Sequence, residues 1–211
     1  MNIRVKKRNG KLEEFNVEKI HQVVDWACKG INGVSLSDIE LNAELALHDK
    51  IPSTEIHDIL IDSANDLISE EEPNYQFVAA KFLNFKLRKD VWGGYNPPRL
   101  FDHIKDLVKL ELYDPSVKSA YTKEEINKLG EYIKHDRDYL FTYSGLQQMV
   151  DKYLLKNRNT GVLYESPQFA YMLIAMVLFM DYGDDRIRRV KEAYDTSLHL
   201  KSTYQLQLWQ E

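Results

Sequence analysis

Residues 3–7 alternate between apolar and polar, and an extended pattern resumes over Leu12 to Phe15 after the interruption Arg8-Asn9-Gly10-Lys11. Asn-Gly between two such arms is the strongest short-range hairpin signal, because both turn residues have to accept positive φ. From Asn16 the spacing becomes helical: Val17, Ile20, Val24 and Ala27 share one face behind an Asn that suits the N-cap. The opening therefore reads as a hairpin that runs into a helix.

Helical spacing dominates the rest of the chain. Ser37-Asp-Ile-Glu40 reads as a capping box that opens a helix reaching about His48. Ile51-Pro52-Ser53 reads as a break, and Thr54 to Ile68 as a helix with Ile56, Leu60, Ala64 and Leu67 on one face. Pro73, preceded by Glu70, Glu71 and Glu72, suits the first position of the next helix, which carries Phe77, Ala80, Leu83 and Leu87 and ends in Arg88-Lys89. Trp92-Gly-Gly-Tyr-Asn-Pro-Pro98 is a composition break and a candidate domain boundary. Beyond it, helices are predicted near 99–111, 123–134, 139–155, 167–181 and 184–200, the second opened by a capping box from Thr122 to Glu125. Asn157 to Gly161 reads as the turn of a short hairpin. The fold class is mainly α with a small amino-terminal sheet.

Composition narrows the function. The 211 residues carry 28 Lys plus Arg against 33 Asp plus Glu, a formal charge of −5, which argues against nucleic acid as a partner. One cysteine, Cys28, excludes an intrachain disulfide framework and a cysteine metal cluster. The start lacks the apolar run of a signal peptide. The longest apolar stretch, Phe169 to Met180, is shorter than the ~20 residues that span a bilayer. The expectation is a soluble, cytoplasmic protein with no membrane partner.

Candidate chemistry is sparse. Lys6, Lys7 and Arg8 cannot all face one way on a strand, and Lys19 could join one of them from the first helix. The helix start at Asn16 offers N–H donors and partial positive charge to an anion, and Glu13 stands between the cations. The pattern leaves two readings open, a solvated hairpin with scattered charges or a pocket for one small polyphosphate. Cys28 reads as a small buried hydrophobe. His135-Asp136-Arg137-Asp138 reads as a charged connection between helices, and His57 is ambiguous alone. Asp184-Asp185 before Arg186, Arg188, Arg189 and Lys191 reads as acids complementing a helix dipole ahead of a solvated basic face. No Walker loop, nucleophile elbow or His-Glu-x-x-His occurs.

Five blocks in order say more: KKRNGKLEEFNVEKIHQVVDWA, EEPNYQFVAAKFLNFKLRK, YNPPRLFDHI, KHDRDYLFTYSGLQQMVDKYLLKNRNTGVLYESPQFAYM and AYDTS. Together they closely resemble the amino-terminal part of class I ribonucleotide reductase large subunits, of the enterobacterial and T-even-phage type, from residue 3 to Lys201. The resemblance implies an ATP-cone over 1–90, in which a small sheet covers a helical bundle, and the helical region that precedes the catalytic barrel over 91–201. It implies ATP or dATP as allosteric effector, with Mg2+, held by Lys7, Arg8, Glu13, Glu14, Phe15, Asn16, Val17, Glu18, Lys19, Ser53, His57 and Lys89. Ser53 stands where several relatives have Thr, which keeps the hydroxyl.

The family's chemistry needs three thiols, and one cysteine cannot supply them. The ten-stranded barrel and redox cysteines of the family lie beyond the last residue here, so no cofactor for catalysis is expected on this chain. Where relatives continue into Ser-Leu-Pro-Thr-Pro, the sequence reads STYQLQLWQE over 202–211, a period-2 pattern suited to a docking strand. The expectation is the regulatory component of a split large subunit, with a chain carrying the catalytic part and a radical-generating small subunit as partners. Two alternatives are a nonfunctional remnant and a freestanding nucleotide-sensing ATP-cone regulator. The latter pairs its cone with a zinc ribbon, for which the cysteines are missing.

Overall fold

A computed structural model describes residues 3–7 and 9–207, the stretch 198–207 in its backbone only. Arg8 and residues 208–211 of the tail lie outside the described residues. Among the described residues three strands, β1 Arg4–Lys6, β2 Leu12–Glu14 and β3 Ile51–Pro52, accompany ten α-helices. These are α1 Val17–Cys28, α2 Leu36–Ala46, α3 Ser53–Asn65, α4 Tyr75–Trp92, α5 Leu100–Lys109, α6 Pro115–Ala120, α7 Lys123–Tyr132, α8 Tyr143–Gln148, α9 Pro167–Phe179 and α10 Arg186–Gln207. They gather into two compact units, Met1–Asp90 with Asp136–Tyr153, and Val91–His135 with Leu154–Glu211. The protein is mainly helical with one small sheet, and the described residues contain no barrel.

In the first unit, β1 and β2 form the expected hairpin, Val5 opposite Glu13. Gly10 has φ 81°, a conformation open to glycine, and its N–H donates to the Lys7 carbonyl at 2.8 Å. The side chain of Asn9 accepts from the Lys11 N–H. The surprise is β3, expected as a break. It pairs in parallel with β1, Val5 beside Ile51 and Lys6 beside Pro52, to give the order β2-β1-β3. Two residues are too few to show alternation, and Pro52 is tolerated because it lies on an edge. Val5 and Ile51 supply the buried face of the sheet.

The helices follow the expected order with shifted ends. Asn16 caps α1, its side chain accepting from the Lys19 N–H at 3.2 Å. At the other end of α1, Lys81 donates to the carbonyls of Ala27 and Lys29. The cap of α2 is Ser35, not Ser37: its hydroxyl accepts from Asp38 N–H, and its own N–H donates to the buried Tyr75 hydroxyl. That second bond selects between two serines that look alike in sequence. α3 ends at Asn65, short of Ile68, and Pro73 stands two residues ahead of α4 instead of opening it. The expected helix over 139–155 is instead broken into a 3-10 turn His135–Leu140, then α8, then a π turn Met149–Tyr153.

The second unit packs α5, α7, α9 and α10 around Leu100, Ile104, Ile126, Leu129, Phe169, Met172 and Tyr194. The Thr122–Glu125 capping box is present, and both Glu125 carboxylate oxygens also accept from Arg186 Nη2, at 2.8 and 2.9 Å. α6, which hydrophobic spacing did not announce, is a six-residue helix with Asp114 as N-cap and Pro115 first. The expected short hairpin reduces to one bridge, Lys156 to Leu163. The tail corrects a further expectation, because α10 continues to Gln207 where a strand was expected. Extending an existing helix by a residue adds one hydrogen bond per residue fixed, whereas a lone strand has nothing to pair with. Among the described residues no helix is long and apolar enough to cross a membrane.

Candidate functional site

The sheet decides which of the early cations faces inward. Side chains alternate along β1, so Lys7 extends the face of Val5 while Arg4 and Lys6 lie on the exposed face. Glu13, paired with Val5, points to the same side but is exposed, and its carboxylate lies 3.2 Å from Lys7 Nζ. Because β1 and β3 are parallel with Lys6 beside Pro52, continuing the register one residue sets Lys7 beside Ser53. Ser53 opens α3, whose N-cap position is held by Pro52 and carries no side-chain acceptor for the first-turn N–H groups. One turn on, the buried His57 meets Lys89 from the last turn of α4, Nε2 to Nζ 3.5 Å. The extended register thus sets the Lys7–Glu13 pair near the start of α3, whose second turn carries the His57–Lys89 contact.

Glu14, Phe15, Asn16, Val17, Glu18 and Lys19 lie at the other end of the sheet, where β2 runs into α1. The Phe15 N–H donates to the Ile3 carbonyl, which fixes the entry to the helix. Val17 and Lys19 are exposed, and Glu18 accepts from Gln22 one turn along. The two ends are separated by three-residue β1, about 10 Å at ~3.3 Å per residue. Each end therefore presents the start of one helix and at least one lysine. Clefts of about 460 Å³ and 360 Å³ lie around Tyr139 and around His135, and no described residue of this set lines either.

The remaining candidates settle differently. Cys28 is half-buried, and burial pushes its thiol up to about 11, which fits a packing role. The His135–Asp138 stretch is a connection, as expected, but not a solvated one. Asp138 is wholly buried and faces Arg88 of α4, Nη2 to Oδ2 3.5 Å. Sequence spacing gave no sign of this pair, whose members stand 50 residues apart. Among the described residues no group of His, Cys, Asp and Glu is arranged to hold a metal ion.

Comparison with known proteins gives two family matches and a set of relatives. Residues 3–90 match the ATP cone domain, and residues 139–203 match the ribonucleotide reductase all-alpha domain. The chain is 43% identical to ribonucleoside-diphosphate reductase 1 subunit alpha of Escherichia coli K12 over 195 residues, 92% of this chain and 26% of the relative. It is 42% identical to the alpha subunit of Haemophilus influenzae over 205 residues, 97% of this chain and 27% of the relative. It is 43% identical to that of Enterobacteria phage T4 over 193 residues, 92% and 26%. The chain matches the amino-terminal region of class I ribonucleotide reductase large subunits. It spans about a quarter of the length of these relatives.

The candidate residues fall wholly within the ATP cone match, and the sheet with α1 to α3 and most of α4 is the structure of that stretch. The all-alpha match is divided. Residues 139–153 of it share a compact unit with the cone, and the rest belongs to the second unit.

Proposed function

We propose that this chain is the regulatory, amino-terminal part of a ribonucleoside-diphosphate reductase large subunit, binding ATP or dATP at the sheet edge. The observation that carries the reading is the parallel pairing of β1 with β3, which sets Lys7 beside Ser53 at the start of α3. The α3 N–H groups and helix dipole favour an anion there. Lys7 and Lys89 supply charge to the phosphates, with His57 and the Ser53 hydroxyl as further partners. Asn16 and the Glu13–Lys19 segment border base and ribose about a strand length away. Arg8, by the family resemblance, joins the phosphate end. Mg2+ travels with the phosphates, since its preference is for phosphate oxygen and water and few protein carboxylates.

The role is allosteric. Two nucleotides that differ by a ribose 2′-hydroxyl regulate only if they favour different states of the assembly. Thiol chemistry has to come from outside these residues, since Cys28 is the sole cysteine and lies in α1. The chain therefore works with a catalytic portion bearing the barrel and with a radical-generating small subunit.

Calorimetric titration of the chain with ATP and dATP, alongside Lys7→Ala and Lys19→Ala, tests the site. Saturable binding weakened in both variants is expected. A folded chain that binds neither nucleotide overturns the reading.

A further inference from the structure

Arg88 precedes Lys89 at the end of α4, and it is buried, 5% exposed, against an Asp138 that is 0% exposed. Its guanidinium carbon lies 4.8 Å from the centroid of the Tyr139 ring. That ring stands edge-on to Trp26 of α1, centroids 5.2 Å apart, and Trp26 packs at the same distance on Phe85 of α4. The segment Asp136–Tyr153 is therefore gripped by the end of α4 that also carries Lys89.

Three properties make this contact more than packing. A charge pair withdrawn from water is strongly penalised when one member leaves, so it is either made or broken, with little between. The gripped segment consists of a 3-10 turn, a six-residue helix and a π turn, short pieces that rearrange more readily than a long helix. Both of its ends, at His135 and Leu154, continue covalently into the second unit.

We propose that the Arg88–Asp138 pair couples nucleotide occupancy at Lys89 to the position of Asp136–Tyr153, and so relays the effector state along the chain into the second unit. This rests on the effector reading of the sheet edge. Phosphates drawing Lys89 off His57 turn the last turn of α4, and Arg88 turns with it. The linkage is reciprocal, so disturbing the pair alters nucleotide affinity by the factor with which nucleotide alters the pair.

Amide hydrogen exchange over residues 136–153 of the full chain, with and without saturating ATP, tests the relay. Wild type is expected to show a change of about fivefold or more in that segment, in line with ordinary coupling. Asp138→Asn is expected still to bind ATP, with an affinity shifted by about the same factor, and to lose the response. A second variant, Arg88→Met combined with Asp138→Leu, removes both members of the pair and is expected to behave likewise, so it decides the matter should Asp138→Asn unfold. ATP binding with no change in the wild-type segment overturns the relay and leaves the effector site standing. A response kept in the double variant overturns it too. Absence of ATP binding in folded wild type removes the effector site and the relay together.

Discussion

Lys89 Nζ stands 3.5 Å from Nε2 of His57, joining the last turn of α4 to the first turns of α3. An ammonium only donates, so in this contact Nε2 stands as the acceptor. The contact parks a cation one turn from Ser53, within the cluster that Lys7 completes.

Lys89→Met is accordingly expected to weaken ATP binding by about tenfold or more, the size of one charge-assisted bond to phosphate. His57→Gln keeps an acceptor near Lys89 and is expected to cost less. Calorimetry on both variants reads the difference, and an unchanged dissociation constant in Lys89→Met places that lysine away from the phosphates.

Gly130 of α7 is predicted to resist replacement. A Cβ at this position would come within 2.9 Å of the Leu100 Cβ, the rigid base of a buried side chain. Alanine gains about 1 kcal/mol in helix propensity. Overpacking costs typically ~1–3 kcal/mol and dominates where neither backbone can move. Gly130→Ala is expected to lower the melting temperature by a few degrees in differential scanning calorimetry, and an unchanged or higher value counts against the tight α5–α7 approach.

Acid sensitivity should trace to one buried cluster in the second unit. Burial lowers His103 to about 4, while burial raises Glu165, whose carboxylate accepts from the Tyr113 hydroxyl and the Leu155 N–H. The unfolded chain protonates the histidine near its ordinary 6.5, so between pH 6.5 and about 4 acid favours unfolding. Glu165 works the other way: the folded state takes its proton first, and stability falls as pH rises through that raised value. Glu165→Gln removes the opposing effect. Denaturant unfolding of that variant from pH 7 to 4 is expected to show a steeper acid loss than wild type, approaching about 1.4 kcal/mol per pH unit. A flat profile in the variant would mean that His103 gains its proton without unfolding.

Cys28 offers a simple reactivity measurement because no other thiol interferes. With its pKa moved from 9.0 to about 11, its thiolate population at neutral pH is smaller by roughly a hundredfold. Reaction with a thiol reagent is expected to be slower than for free cysteine by at least that factor and to accelerate in denaturant. Fast labelling of the folded chain would show an open path to the sulfur.

What the sequence disclosed was local. Asn9-Gly10, the Asn16 cap and the Thr122–Glu125 box each involve residues within a few positions of one another, and each was legible. What it hid was pairing at a distance. Nothing in Ile51-Pro52 announces a strand, because its partner Val5 lies far back in the chain. The choice of Ser35 over Ser37 depended on Tyr75, and the burial of Asp138 on Arg88. The candidate site shares this division: the residues of the Glu13–Lys19 segment were a visible cluster, but their relation to Ser53, His57 and Lys89 needed family resemblance before the β1–β3 register supplied a geometry.

The return of Asp136–Tyr153 to the first unit has a consequence for how the protein is made. A ribosome adding ~5–20 residues per second finishes Arg88 some 3–10 seconds before Asp138, which lies 50 residues downstream. During that interval the cone's strands and first four helices have all been synthesised, while the buried carboxylate that Arg88 faces does not yet exist. The carboxylate that packs against Arg88 is therefore made only after α5, α6 and α7.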